Sequence, residues 1–258
     1  MIEFFDTHAH MSDARFDEDR AEVLGMLAPA GVTRFVDVAC DLRNVSKTLE
    51  VLELSPIAYA AFGMHPHTAE HMTNEMMDSL AALLTGARAV ALGEIGLDYH
   101  YDLSPRDTQR DWFDKQLSLA AQLKKPVILH VREAMGDSLD ILRAHRAELL
   151  ENRGVMHCFS GSPESARECL DMGLYIGFGG SLTFKNNRKG VETAAFVPMG
   201  SVVFETDCPY LAPVPHRGER NDPRLVRFAV EKFAQIRGIS VEEAAKTGYE
   251  NGGRLFGI

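Results

Sequence analysis

The chain has 258 residues, and its 27 Lys and Arg stand against 37 Asp and Glu, a net charge of −10 with the histidines neutral. That excess of acid excludes a globally basic nucleic-acid coat, and a 45% hydrophobic, 25% charged and 8% aromatic composition excludes a disordered chain. The length allows either two modest domains or one α/β barrel of roughly 250 residues.

The chain opens MIEFFDTHAH, with no basic segment ahead of a long apolar run, so no secretory leader is expected. Its apolar runs fall far short of the ~20 residues of a membrane span. Cys40, Cys158, Cys169 and Cys208 form no CxxC pair, and reduced thiols in the cytoplasm are the expectation.

A short apolar or β-branched run recurs along the chain, followed by a turn and a longer segment of helical period. In order, the predicted strands are Glu3 to Asp6, Arg34 to Val38, Ile57 to Gly63, Ala89 to Gly93, Val127 to His130, Gly154 to His157, Leu174 to Gly177 and Val202 to Glu205. The predicted helices include Asp107 to Leu123, Asp137 to Leu149, Pro163 to Met172 and Pro223 to Ile236. Eight strands alternating with helices predict parallel pairing and a (β/α)8 TIM barrel, a single domain over 1–258, with an open doubly wound sheet as the alternative. Nearly all-apolar strands fit a sheet buried on both faces. In such a barrel the working residues sit at the C-terminal ends of the strands.

Those ends carry His8 and His10 after the first strand, His65 after the third and Glu94 after the fourth. His130 follows the fifth, His157 the sixth and Asp207 the eighth. One histidine there has an ordinary structural explanation, but so many metal-ligand side chains on one rim do not. The HxH pair His8-Ala9-His10 places two imidazoles on one face of extended backbone. Glu94 lies between Gly93 and Gly96, expected to allow close approach of backbone and metal, and its two oxygens can bridge two cations. No lysine stands at that strand end to supply a carbamate bridge. His130 and His157 each end an apolar run, where an unbound polar ring is costly and a second cation would satisfy both. Asp207 is a ligand, a general base, or both. Glu205 is expected to partner a ligand histidine from below, and Cys158 and Cys208 to turn away into packing.

Seven segments then resemble the TatD family of metal-dependent deoxyribonucleases, an amidohydrolase-like branch of barrels: DTHAH at 6–10, GMHPH at 63–67, GEIGLDY at 93–99, PVILHVREA at 126–134, HCFSG at 157–161, ETDCPYLAP at 205–213 and RGERNDP at 217–223. The resemblance runs nearly end to end in order and spacing. It implies one cation held by His8, His10, Glu94 and Asp207, and a second held by Glu94, His130 and His157. Two such cations about 4 Å apart would activate a water between them. The mixed donors suit Mg²⁺, Mn²⁺ or Zn²⁺ without choosing among them. His100 carries no assigned role.

A net charge of −10 opposes extended grip on a duplex. The rim nevertheless gathers cations: Arg132 after the fifth strand, Lys185, Arg188 and Lys189 after the seventh, and His216, Arg217 and Arg220 after the eighth. Such a local patch suits a single strand or a 3′ end, the exonuclease substrate the resemblance implies, with His65, Arg132 and Arg217 as the substrate-binding candidates. Two alternatives stand beside a 3′-to-5′ exodeoxyribonuclease. One is an ester or amide hydrolase such as a D-aminoacyl-tRNA deacylase, because an activated water attacks carbonyl carbon as readily as phosphorus. The other is a non-catalytic, metal-stabilised interaction protein, against which the intact ligand set speaks.

Overall fold

The computed structural model describes residues 2–258. Strands and helices alternate from β1 (Phe4–Ala9), α1 (Arg20–Leu27), β2 (Val32–Ala39), α2 (Val45–Leu54), β3 (Ala58–Phe62) and α3 (Asn74–Leu83) to β4 (Ala89–Asp98) and α4 (Arg106–Leu123). Then follow β5 (Val127–Arg132), α5 (Met135–Ala144), α6 (Arg146–Asn152), β6 (Gly154–Met156), α7 (Pro163–Asp171), β7 (Leu174–Phe178), α8 (Arg188–Phe196) and β8 (Val202–Phe204). Two helices, α9 (Val226–Arg237) and α10 (Val241–Phe256), end the chain. The strands form one parallel sheet in sequential order, and the seam between first and last is drawn together where His10 N donates to Cys208 O (2.8 Å) and Asp207 N to His8 O (2.9 Å). The result is the expected eight-stranded, nearly closed barrel. Among the described residues, no helix is long and apolar enough to cross a membrane.

The strands separate two cores. Between sheet and helices, Phe35, Leu92, Leu129 and Phe204 pack with Phe113, Leu142 and Phe233. Inside the barrel lie Phe5, Val36, Val38, Ala61, Ile128, Val155 and Val203, and the end of α10 joins them through Phe256, whose ring lies 5.9 Å from that of Phe5. Because side chains alternate along a strand, the lumen positions Val38, Ile128, Val155 and Val203 project the same way as Cys40, His130, His157 and Glu205. The dry lumen thus points its next layer of side chains toward the C-terminal mouth.

Three expectations need correction. The helix drawn from Asp137 to Leu149 is broken at His145, whose ring reaches Asp114 on α4 (2.8 Å). No Pro or Gly marks the break, so periodicity runs through it. Strand β4 is twice as long as expected and continues to Asp98, which places Glu94 within the strand. The glycines beside Glu94 serve the approach of β4 to β5: a Cβ on Gly93 would meet Ile128 Cβ at 2.6 Å, and one on Gly96, at φ +145°, would meet the His130 carbonyl oxygen at 1.9 Å. Their purpose is strand contact, because only hydrogen fits there.

Candidate metal centre

Glu94 stands at the middle of the mouth, 4% exposed, with its two oxygens turned to different partners. Its Oε1 lies 2.6 Å from His130 Nδ1 and 2.7 Å from His157 Nε2. Its Oε2 lies 3.5 Å from His8 Nε2 and 4.0 Å from His10 Nε2. Asp207 Oδ1 completes the second side at 3.3 Å from His10 Nε2 and 3.8 Å from His8 Nε2. The six side chains expected to bind metal therefore converge around one carboxylate.

The hydrogen bonds made by the outer ring nitrogens decide what the inner ones can do. His10 Nδ1 lies 2.8 Å from the Val38 carbonyl, to which it must donate, so in the neutral ring Nε2 presents a lone pair to the site. His130 does the reverse: Nε2 donates to Asp98 Oδ2 (3.1 Å), leaving Nδ1 bare toward Glu94. A bare nitrogen and a carboxylate oxygen at 2.6 Å repel unless a proton or a cation lies between them. This donor set, with imidazole and carboxylate groups converging and no Lys or Arg among them, fits divalent cations. His8, His10 and Asp207 could hold one, and Glu94 with its neighbouring imidazoles another.

The electrostatics follow from the crowding. Burial pushes the Glu94 carboxyl up, yet its interactions with the surrounding rings of His157, His65 and His130 outweigh it and hold the group well below the usual carboxylate range. Burial pushes His157 down, but Glu94 and Glu205 overcome it and raise its ring well above the ordinary value. The anionic carboxylate is the state a cation site requires, and a cation entering beside it takes the place of the proton that His157 holds in its absence.

The remaining expected residues sort into near and far. His65 lines the mouth, with Nε2 3.7 Å from Glu94 Oε1. The His67 amide donates to its Nδ1 (3.2 Å), so the neutral ring carries its proton on Nε2 and offers a donor toward the site. Arg132 also lines the mouth, pairs with no carboxylate among the described residues, and lies over the Tyr101 ring, 4.7 Å from its centroid. Arg217 stands one layer back, its guanidinium 3.8 Å from the centroid of Phe184, whose ring faces the cavity. Arg220 is tied to Asp19, and His216 to Glu219, which removes both from the free cations of the rim. His100 pairs with Glu133 at the surface. Glu205 lies beneath His157, its Oε1 3.5 Å from Nδ1, and takes the Cys158 amide.

Cys208 is buried as expected, but Cys158 lines the mouth. Strand β6 ends at Met156 and Cys158 adopts φ +44°, so strict alternation no longer applies there. Three groups were missed by sequence reasoning. Cys40, just past β2, places Sγ 3.2 Å from Glu94 Oε2. Asp98 shares its Oδ2 between His130 Nε2 (3.1 Å) and His67 Nε2 (2.9 Å), while Oδ1 takes the amides of His100 and Tyr101. Glu94, Gly96 and Asp98 share a parity that a longer fourth strand would have revealed, and His67 stands in the GMHPH segment.

Comparison with known proteins agrees with this fold. The family model described as TatD related DNase matches residues 5–257. A metal-dependent hydrolase of Bacillus subtilis strain 168, YabD, is 41% identical over 254 residues, covering 98% of this chain and 99% of that protein. A protein of Pantoea ananatis named 3'-5' ssDNA/RNA exonuclease TatD is 32% identical over 262 residues, covering 98% and 99%. Among solved structures, the TatD homologue YjjV of Escherichia coli K12 superposes with a TM-score of 0.93 at 31% identity, covering 100% of this chain and 99% of that one.

Proposed function

Because the chain belongs to the TatD family and is a metal-dependent hydrolase, we propose that it is a 3′-to-5′ exodeoxyribonuclease working on single strands or 3′ ends, with 1–258 acting as one domain. The observation that carries this reading is the division of Glu94, whose Oε1 faces His130 and His157 while Oε2 faces His8 and His10. A carboxylate so divided suits two cations, one with His8, His10 and Asp207, the other with His130 and His157. Divalent ions held there, whether Mg²⁺, Mn²⁺ or Zn²⁺, supply Lewis acidity to a water and to the scissile phosphoryl group.

The chain's own groups supply the rest. Asp207, on the open side of the cluster, accepts the proton of the attacking water and returns it to the leaving oxygen. His65 donates from Nε2 to a phosphoryl oxygen, and Arg132 attracts the neighbouring phosphate. Arg217 braces Phe184 and adds positive potential behind it. The Pantoea relative's name, which includes single-stranded DNA, supports this substrate.

The test is turnover of 3′-labelled single-stranded DNA by metal-loaded protein. Glu94→Gln should lose about a thousandfold in rate while keeping its fold. Inactivity on DNA with every divalent ion, together with cleavage of aminoacyl esters, would replace the phosphodiesterase by the ester hydrolase.

A further inference from the structure

Two tyrosines stand on opposite sides of the mouth with their rings in solvent. Tyr101, in the loop after β4, is 54% exposed, and Tyr210, in the loop after β8, is 47% exposed. Strands β4 and β8 are four apart in a sequential eight-stranded barrel, and so face each other across it. Both tyrosines line the same cavity of about 980 Å³.

An unbroken file of rings joins them through the candidate metal centre. From Tyr101 the centroid separations are 5.4 Å to His67, 6.2 Å to His130, 5.7 Å to His157, 4.0 Å to His8, 4.8 Å to His10 and 6.1 Å to Tyr210. Each tyrosine meets its histidine edge to face and carries a guanidinium over its ring: Arg132 over Tyr101 at 4.7 Å and Arg15 over Tyr210 at 4.1 Å. Half-exposed tyrosines are ordinary one at a time, but two that face one another across the same cavity present a pair of apolar faces to whatever enters it. A tyrosine ring with a guanidinium over one face has its opposite face to offer a nucleobase, an arrangement that stacks a base and tolerates any base.

We propose that Tyr101 and Tyr210 are stacking platforms for the two nucleosides flanking the cleaved linkage, one on each rim, so that the substrate is a single strand splayed across Glu94. Stacking in these places presupposes that the site cleaves a phosphodiester. A paired duplex end cannot place consecutive bases on opposite rims, so strand separation is built into recognition. The two platforms also confine sequence preference to stacking strength, since a ring face stacked on a base does not read its hydrogen-bonding edge.

The metal-loaded enzyme is assayed on a single-stranded oligonucleotide and on versions with an abasic residue on either side of the terminal linkage. Tyr101→Leu and Tyr210→Leu should each raise KM about tenfold on the base-bearing strand, and the Phe variants should not. Each Leu variant should have no further effect on the substrate lacking the base its tyrosine holds. Equal losses on base-bearing and abasic strands, or no loss at all, would overturn the platforms. In parallel, strands with phosphorothioate terminal linkages and 2-aminopurine at the flanking positions report stacking by quenching without turnover. Tyrosine-dependent quenching with no cleavage of the ordinary strand would leave the platforms standing and remove the nuclease reading. Cleavage indifferent to abasic residues, without quenching, would do the opposite, and neither cleavage nor quenching would remove both.

Discussion

Asp98 Oδ2 lies 3.1 Å from Nε2 of His130, the nitrogen that points away from Glu94. Burial alone would raise this carboxyl, but hydrogen bonds from His130, the Tyr101 amide and His67 outweigh it and hold the group below the usual carboxylate range. Asp98 thus fixes the tautomer that turns His130 Nδ1 toward the centre. Asp98→Asn should weaken divalent-ion affinity about 10- to 100-fold, measured by titration calorimetry. Unchanged affinity would show that His130 is oriented by packing alone.

Removal of metal should be visible in stability. Ions at about a hundred times their Kd add roughly 2.7 kcal/mol per site, and for a chain of this size that moves Tm by roughly 5 to 10 °C. A chelator should lower the midpoint by that much and added Mn²⁺ or Zn²⁺ restore it. A midpoint indifferent to every divalent ion would mean that the cluster holds none.

Arg132, a substrate-binding candidate, and Arg220, another cation of the same rim, are separated by their surroundings. Arg132→Ala should raise KM for single-stranded DNA about tenfold and leave the unfolding midpoint nearly unmoved, because its guanidinium has no carboxylate partner among the described residues. Arg220→Ala should leave KM unchanged and lower stability by about 1 kcal/mol through its lost contacts with Asp19 and the Arg15 carbonyl. The reverse pattern in paired kinetic and denaturation measurements would exchange their roles.

Gly96→Ala should cost about 3 kcal/mol or more, since its Cβ would sit 1.9 Å from the His130 carbonyl oxygen and φ is +145°. Urea unfolding measures the loss, and a wild-type midpoint would mean that β4 and β5 separate freely.

Cys169, buried on α7, has its thiol pushed up to about 12 by burial, from 9.0. The folded state holds this proton more tightly than the unfolded state. The associated stability is therefore complete below pH 9 and declines as pH rises toward 12. Cys169→Ala should flatten the fall in Tm between about pH 9 and pH 12, and an unaltered slope would assign the alkaline loss to other groups.

What the sequence determined was the pattern that local chemistry dictates. Apolar runs bounded by turns set eight strands, their alternation with helices set a parallel barrel, and the barrel set the rim on which His8, His10, Glu94, His130, His157 and Asp207 meet. Each of these steps depends on residues near one another in the chain. The tertiary structure decided what depends on distant partners. Arg220 became structural because Asp19 lies beside it, and Cys40 and Asp98 joined the centre because β2 and β4 carry them next to Glu94. Tautomers were decided in the same way, since Val38 and Asp98 take the outer protons of His10 and His130. Charge shows the difference most clearly: −10 is a property of composition, whereas whether a cation is free to meet a phosphate depends on which carboxylate the fold has brought within reach.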